Sequence, residues 1–192
     1  MSATLAAPNQ RLDRAALGLL AIGHLSADFC QGTVPAMLPF LVQERHLSYA
    51  AAAGLVLGQT VSSSVVQPIF GRLSDRWPMP WLLPAGLLVA GVGIGLSTQL
   101  HVYAAVWLAI AASGLGIAAF HPEGARYARR ASGARRVSGM SVFSVGGNAG
   151  FALGPLVTTP LLLLLGLEGG WVLGLLPVAV AGALLAGRRR VT

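Results

Sequence analysis

The sequence predicts an all-α protein embedded in a membrane, a bundle of six transmembrane helices with both termini on the cytoplasmic side. Three observations carry this. Only 10% of the 192 residues are charged and 55% are hydrophobic, with a mean hydropathy of +0.71, whereas a water-soluble domain needs about 25% charged residues to wet its surface. The apolar residues fall in runs of roughly 20, the length that spans a hydrocarbon core of about 30 Å at 1.5 Å per residue. All thirteen basic residues are arginines, and they lie between those runs in an alternating pattern. A soluble enzyme is excluded. The net charge of +7 and pI near 11.3 suit a nucleic-acid partner in magnitude but not in placement, so none is expected.

The spans follow from the apolar runs and their breakers. Span one runs from Ala15 to Val42, span two from Ala50 to Phe70, span three from Pro80 to Gln99, span four from His101 to Phe120, span five from Ser138 to Leu167 and span six from Gly170 to Gly187. The chain thus divides into an N-terminal tail (1–14), a six-span domain (15–187) and a basic C-terminal tail (188–192). The first run is too long for a signal peptide, carries Asp28 in its interior and precedes five more.

Orientation follows from the arginines, which are retained on the cytoplasmic side during insertion. Arg11 and Arg14 precede span one, Arg72 and Arg76 follow span two, Arg126, Arg129, Arg130, Arg135 and Arg136 follow span four, and Arg188, Arg189 and Arg190 follow span six. Six crossings put these twelve on one face and leave Arg45 alone on the other. Multi-pass insertion in the cell (inner) membrane, with the lipid bilayer as a partner, is expected.

Polar residues inside spans must face protein or water. Span one carries His24, Asp28, Gln31 and Pro35 at spacings of four, three and four, one helical stripe. Span two carries Gln59, Ser63 and Gln67, and span five carries Ser141, Ser144 and Asn148, at the same period. These seven polar side chains other than His24 and Asp28 (Gln31, Gln59, Ser63, Gln67, Ser141, Ser144 and Asn148) are the substrate-cavity candidates. Spans three and six carry almost nothing polar and are expected to face lipid.

Asp28 is the one acidic residue deep in a span. Burying a carboxylate costs several kcal/mol unless it is protonated, paired or hydrated, which suits Asp28 to taking up and releasing a proton, with His24 one turn earlier as partner. A structural hydrogen-bonded pair that fixes helix packing is the alternative. Phe120-His121-Pro122-Glu123 is the other concentration of ionisable groups: Pro122 is expected to end span four, leaving His121 and Glu123 at the cytoplasmic mouth as proton acceptors, as a gate pair with nearby arginines, or as helix caps. No metal is expected, because only two ligand-type residues are local, and no cofactor motif is present. Gly146, Gly150 and Gly154, followed by Pro155, form a small-residue stripe on span five that admits another helix backbone to backbone, within the chain or between chains. Cys30, Met37 and Met140 read as packing residues, and Tyr49, Tyr103 and Trp171 as interfacial aromatics.

Gly71-Arg72-Leu73-Ser74-Asp75-Arg76 resembles the signature of the cytoplasmic link between spans two and three in major facilitator superfamily transporters. Glycine suits a tight turn there, and Asp75 a cap or ion pair. Together with Gln67-Pro68, the Ser74-to-Trp81 run, Phe120 to Arg126 and Gly146 through Gly154-Pro155, the chain from about Leu17 to Gly187 resembles the fosmidomycin-resistance type of efflux transporter. Trp77-Pro78-Met79-Pro80 replaces the superfamily's further glycine and basic residues, and Thr158 and Thr159 replace the paired glycines of its antiporter motif. The resemblance implies half of a major-facilitator fold, a cytoplasmic gate built on Gly71, Asp75, Arg76 and Arg126, and proton-coupled export of a drug-like or metabolite small molecule by alternating access. Relatives have about twelve spans in two halves, so a parallel homodimer is expected, with span two of one copy against the glycine stripe (Gly146, Gly150, Gly154, Pro155) of the other. One half of a heterodimeric or split transporter, and a non-transporting scaffold or sensor, are the alternatives.

Overall fold

The computed structural model describes residues 11–191, and those residues are helical with no strand. The elements are α1 (Arg14–Arg45), α2 (Tyr49–Ser64), α3 (Gln67–Arg76), α4 (Leu82–Gln99), α5 (Tyr103–Ala131), α6 (Arg136–Leu165), a 3-10 stretch (Leu167–Gly174) running into α7 (Leu175–Ala186), and the short α8 (Arg188–Val191). Residues 1–10 of the predicted N-terminal tail, and Thr192, lie outside the described part. Five stretches are long and apolar enough to cross a membrane: Tyr49–Arg76, Leu82–Gln99, Tyr103–Ala131, Arg136–Leu165 and Leu167–Ala186. With 32 residues, about 48 Å at 1.5 Å each, α1 is long enough as well. Its polar stripe makes it less apolar than the other five, and it is covered by them: Ser26, Ala27, Cys30, Thr33 and Val34 are fully buried.

Helix boundaries have local causes. Asp13 caps α1 by accepting from the Ala15 and Ala16 amides at 3.1 and 3.0 Å, satisfying donors that the first turn leaves orphaned. His46, at φ 53°, stops it in the left-handed region. Ser48 caps α2 through the Ala51 amide at 3.2 Å. Pro68 has no N–H to offer, so span two breaks at Val65–Val66 into α2 and α3.

The bundle is built by close pairs: α1 on α6, α4 on α5, α2 on α5, and the 3-10 stretch with α7 on α4. Glycines set the closest of these. A Cβ on Gly86 or Gly93 of α4 would land on α5 backbone, and one on Gly91 would meet the Gly174 carbonyl. This corrects the expectation for span three. Glycine lets two neighbours approach α4 on opposite sides, so in its most apolar stretch 67% of residues are buried, and only an apolar strip containing Leu88, Val89, Val92 and Leu96 remains for lipid.

Two expected links are helical. α5 does not end at Pro122 but continues to Ala131, since a proline costs an interior helix one hydrogen bond and a kink rather than its existence when neighbours pack around it. Gly71 to Arg76 is the C-terminal half of α3, not a turn. Gly71 has no positive φ and instead stands next to Pro122, about 3.9 Å from where its Cβ would be.

Twelve arginines were expected on one side, and those described gather at one end of the bundle. The Asp13 amide donates to the Ala131 carbonyl at 2.8 Å, which fastens the start of α1 to the end of α5. Arg11, Arg14 and Arg135 share one cleft. The opposite end holds Arg45, which donates to the Thr98 carbonyl at 3.2 Å.

Candidate functional site

Burial distinguishes the helices that face out. In their most apolar stretches only 28% of residues in the α2–α3 span and 22% in α6 are buried. α2 and α6 make no substantial contact with each other; α1 and α5 lie between them and present the ionisable residues.

His24 and Asp28 on α1 meet His121 on α5. His24 Nε2 is 3.3 Å from Asp28 Oδ2, and His121 Nε2 is 3.1 Å from Asp28 Oδ1. The two imidazoles are edge to face, with centroids 5.0 Å apart. All three side chains are partly accessible, at 13 to 18%. The other ring nitrogens fix the chemistry. His24 Nδ1 lies 2.8 Å from the Phe143 carbonyl and His121 Nδ1 lies 2.8 Å from the Ile117 carbonyl. A carbonyl only accepts, so both Nδ1 atoms carry hydrogen and both Nε2 atoms turn either a lone pair or an N–H toward Asp28. With no hydrogen on either Nε2 or on the carboxyl, both contacts set lone pair against lone pair. One shared proton satisfies one contact, and two satisfy both. The geometry thus has places for up to two hydrogens between the Nε2 atoms and the carboxylate.

Two neighbours complete it. Phe143 stacks on His24 with centroids 4.1 Å apart. Gly147 packs directly against the pair: a Cβ there would stand 2.5 Å from Asp28 Oδ2 and 2.6 Å from His24 Nε2. Sequence reasoning missed both residues, and passed over Gly147 because it falls outside the four-residue stripe. Its juxtaposition with Gly146 was the available signal. Gly147→Ala is expected to separate His24 from Asp28 and to move the His24 imidazole resonances in NMR spectra; unchanged resonances would mean the space is not needed.

Glu123 does not join the cluster. Two residues after His121 it points about 200° round the helix, is fully buried, and accepts from the Met79 amide at 3.0 Å and from Arg126 Nη1 at 3.3 Å. Arg126 also donates to the Ser74 carbonyl at 2.6 Å. Together they clasp the segment joining α3 to α4, through an ion pair within α5 itself. The Glu123→Ala variant loses a hydrogen bond to a charged acceptor, a loss of about 2 kcal/mol, so the Met79 amide should exchange with deuterium roughly 30-fold faster. Unaltered exchange there would remove Glu123 from the clasp. Of the other gate candidates, Gly71 and Asp75 line a cavity of about 940 Å³ with Arg126, Arg129, Arg130 and Arg136, while Arg76 is exposed at the end of α3.

The cavity candidates divide. Gln67 lines a cleft of about 430 Å³ with Ser64, Gly71 and Pro122, and Gln31 is half-buried one turn beyond Asp28. Ser144, Asn148 and Ser141 are exposed on α6, and Ser141 donates to the Val137 carbonyl at 2.9 Å. Gln59 and Ser63 are corrections. Gln59 is 2% exposed and donates to the Cys30 carbonyl at 3.1 Å, and Ser63 is 3% exposed and donates to the Thr60 carbonyl at 3.1 Å. Both satisfy themselves on backbone because α2 leans its polar edge on α1 and α5.

The glycine stripe is a second correction. Gly146, Gly150 and Gly154 abut Ala21, Leu25 and Gly32 of α1 in the same chain, so they are not free to meet another subunit. Pro155 is exposed beside them. No metal was expected, yet His24, Asp28 and His121 place three ligand-type atoms within 4.8 Å of one another, the only such group among the described residues. The spacing could not show this, since the third member comes from another helix.

The Major Facilitator Superfamily profile matches residues 20–192. The chain belongs to the major facilitator superfamily. That superfamily comprises membrane transporters rather than enzymes, which agrees with the all-helical membrane fold. The chain is 40% identical over 141 residues to the fosmidomycin resistance protein of Escherichia coli, covering 73% of this chain and 35% of that one. It is 35% identical over 151 residues to YfnC, an uncharacterised MFS-type transporter of Bacillus subtilis, covering 79% and 37%. The MFS-type transporter SLC18B1 of Mus musculus is 35% identical over 100 residues, covering 49% and 22%. The chain thus spans about a third of the length of its bacterial superfamily relatives.

Proposed function

We propose that this chain forms one six-helix half of a proton-coupled exporter of small molecules and works as a parallel homodimer in the cell membrane, with both termini cytoplasmic. The His24–Asp28–His121 cluster carries the reading. It is an ionisable group at membrane depth, partly open to water, with room for protons that a packing contact alone does not require. Proton entry through it drives substrate out as the two halves rock about the shared cavity. The arginine-lined cavity at the C-terminal end of α5, whose lining on that helix begins at Pro122 beside His121, is the cytoplasmic mouth.

The thinly covered faces of α2–α3 and α6 support a partner. Val65, Ile69 and Val145 are 64, 59 and 64% exposed, and a twofold axis sets α3 of one copy near α6 of the other without using the glycine stripe. Cysteines placed by Ile69→Cys and Val145→Cys in one chain should cross-link to a dimer in native bilayers, Cys30 being buried and inert. Recovery of monomers alone would sink the homodimer. The name of the E. coli relative makes fosmidomycin the first compound to test. Purified protein in proteoliposomes should move its substrate faster under an imposed pH gradient, and transport indifferent to the gradient would refute the coupling.

A further inference from the structure

The protonable cluster has a second chemistry that does not depend on transport. We propose that His24, Asp28 and His121 form a binding site for a divalent transition-metal ion of the zinc class. The donor set is two imidazoles and one carboxylate, the mixed nitrogen and oxygen set that zinc takes with three protein ligands and leaves a fourth position for water. The partial exposure of all three side chains keeps that position open.

Geometry agrees. Zinc to nitrogen and oxygen distances of about 2.0 to 2.2 Å in a tetrahedron put neighbouring ligand atoms roughly 3.4 Å apart. His24 Nε2 stands 3.3 Å from Asp28 Oδ2 and His121 Nε2 stands 3.1 Å from Asp28 Oδ1, so each imidazole meets its own carboxylate oxygen, and one ligand atom from each residue fits within a 4.8 Å set.

The outer contacts argue most strongly. A metal-binding histidine holds its other ring N–H on a carbonyl or carboxylate, which fixes the tautomer and aims the lone pair. Both histidines do so here, to the Phe143 and Ile117 carbonyls at 2.8 Å, from two different helices. The ion takes the space that hydrogens occupy between Nε2 and the carboxylate. Phe143 and Gly147 wall the site on the α6 side, leaving no space there for a bulkier ligand.

The test uses full-length, tag-free protein in detergent with Zn2+ alone, without substrate or gradient, so a protein that bound zinc yet exported nothing would refute the transport reading and leave this one standing. X-ray absorption of the zinc-loaded unsubstituted protein should show two imidazoles and lighter oxygen ligands; fewer than two imidazoles overturns the site without any variant having to fold. Calorimetric titration should give one site per chain, weakened about 100-fold in His24→Ala and in His121→Ala. The His46→Ala/His101→Ala double variant, which removes the two exposed histidines, should bind as the unsubstituted protein does. Equal affinity in the cluster variants, or loss in the distal double variant, would assign the ion elsewhere.

Discussion

Asp28→Asn is expected to reduce gradient-driven export by about 100-fold, the scale of removing a positioned proton-transfer group, while leaving the protein folded. The amide has nearly the volume of the carboxyl and still offers one acceptor and one donor to the two Nε2 atoms that stand 3.3 and 3.1 Å away. It has no proton to exchange and no charge to balance. The separation of effects is the point of the experiment. Thermal unfolding in detergent should move by only a few degrees, and downhill movement of substrate without a pH gradient should persist. A variant that still responded to the gradient would take Asp28 out of the coupling.

The largest loss of stability is expected from Gly150→Ala. A methyl there lands on the Leu25 carbonyl, which is backbone and cannot rotate away, so α1 and α6 must move apart along their shared length. Overpacking of this kind costs about 3 kcal/mol. Gly18 and Gly182 supply the contrast within the same helical setting. Nothing lies within 4 Å of a Cβ at either, so alanine should be neutral there or stabilise by roughly 0.5 to 1 kcal/mol through its better helix propensity. Melting temperatures of the three variants decide the matter, and a Gly150→Ala protein as stable as Gly18→Ala would mean that α1 and α6 are not held backbone to backbone.

What the sequence made legible was what periodicity and composition govern. Six apolar runs, the arginine alternation and the His24–Asp28 spacing are local, and local patterns are read directly. His121 was singled out at the cytoplasmic mouth, but its place beside Asp28, 93 residues away, is decided by how α5 packs on α1, which no spacing encodes. Pro122 misled for a related reason. Proline ends an isolated helix, yet here surrounding helices keep α5 intact for nine more residues, to Ala131. Gln59 and Ser63 sit on the same stripe as Gln67, but a helical stripe has width, and the lean of α2 buries one edge and opens the other. The glycine stripe was read correctly as a close approach, and only the tertiary structure identifies α1 of the same chain as the neighbour.

α5 carries His121 and Glu123 on opposite sides of its axis, two residues and about 3 Å of rise apart, with Pro122 between them. One side is held by α1 and the other by the strand of chain entering α4, so this short length of helix behaves like an axle gripped by two brakes. A turn of the axle that slackens one grip tightens or drags the other. If the cluster loads protons as proposed, that loading and the clasp at the rim are two ends of one linkage, and by reciprocity whatever work loading does on the clasp, the clasp does back on loading.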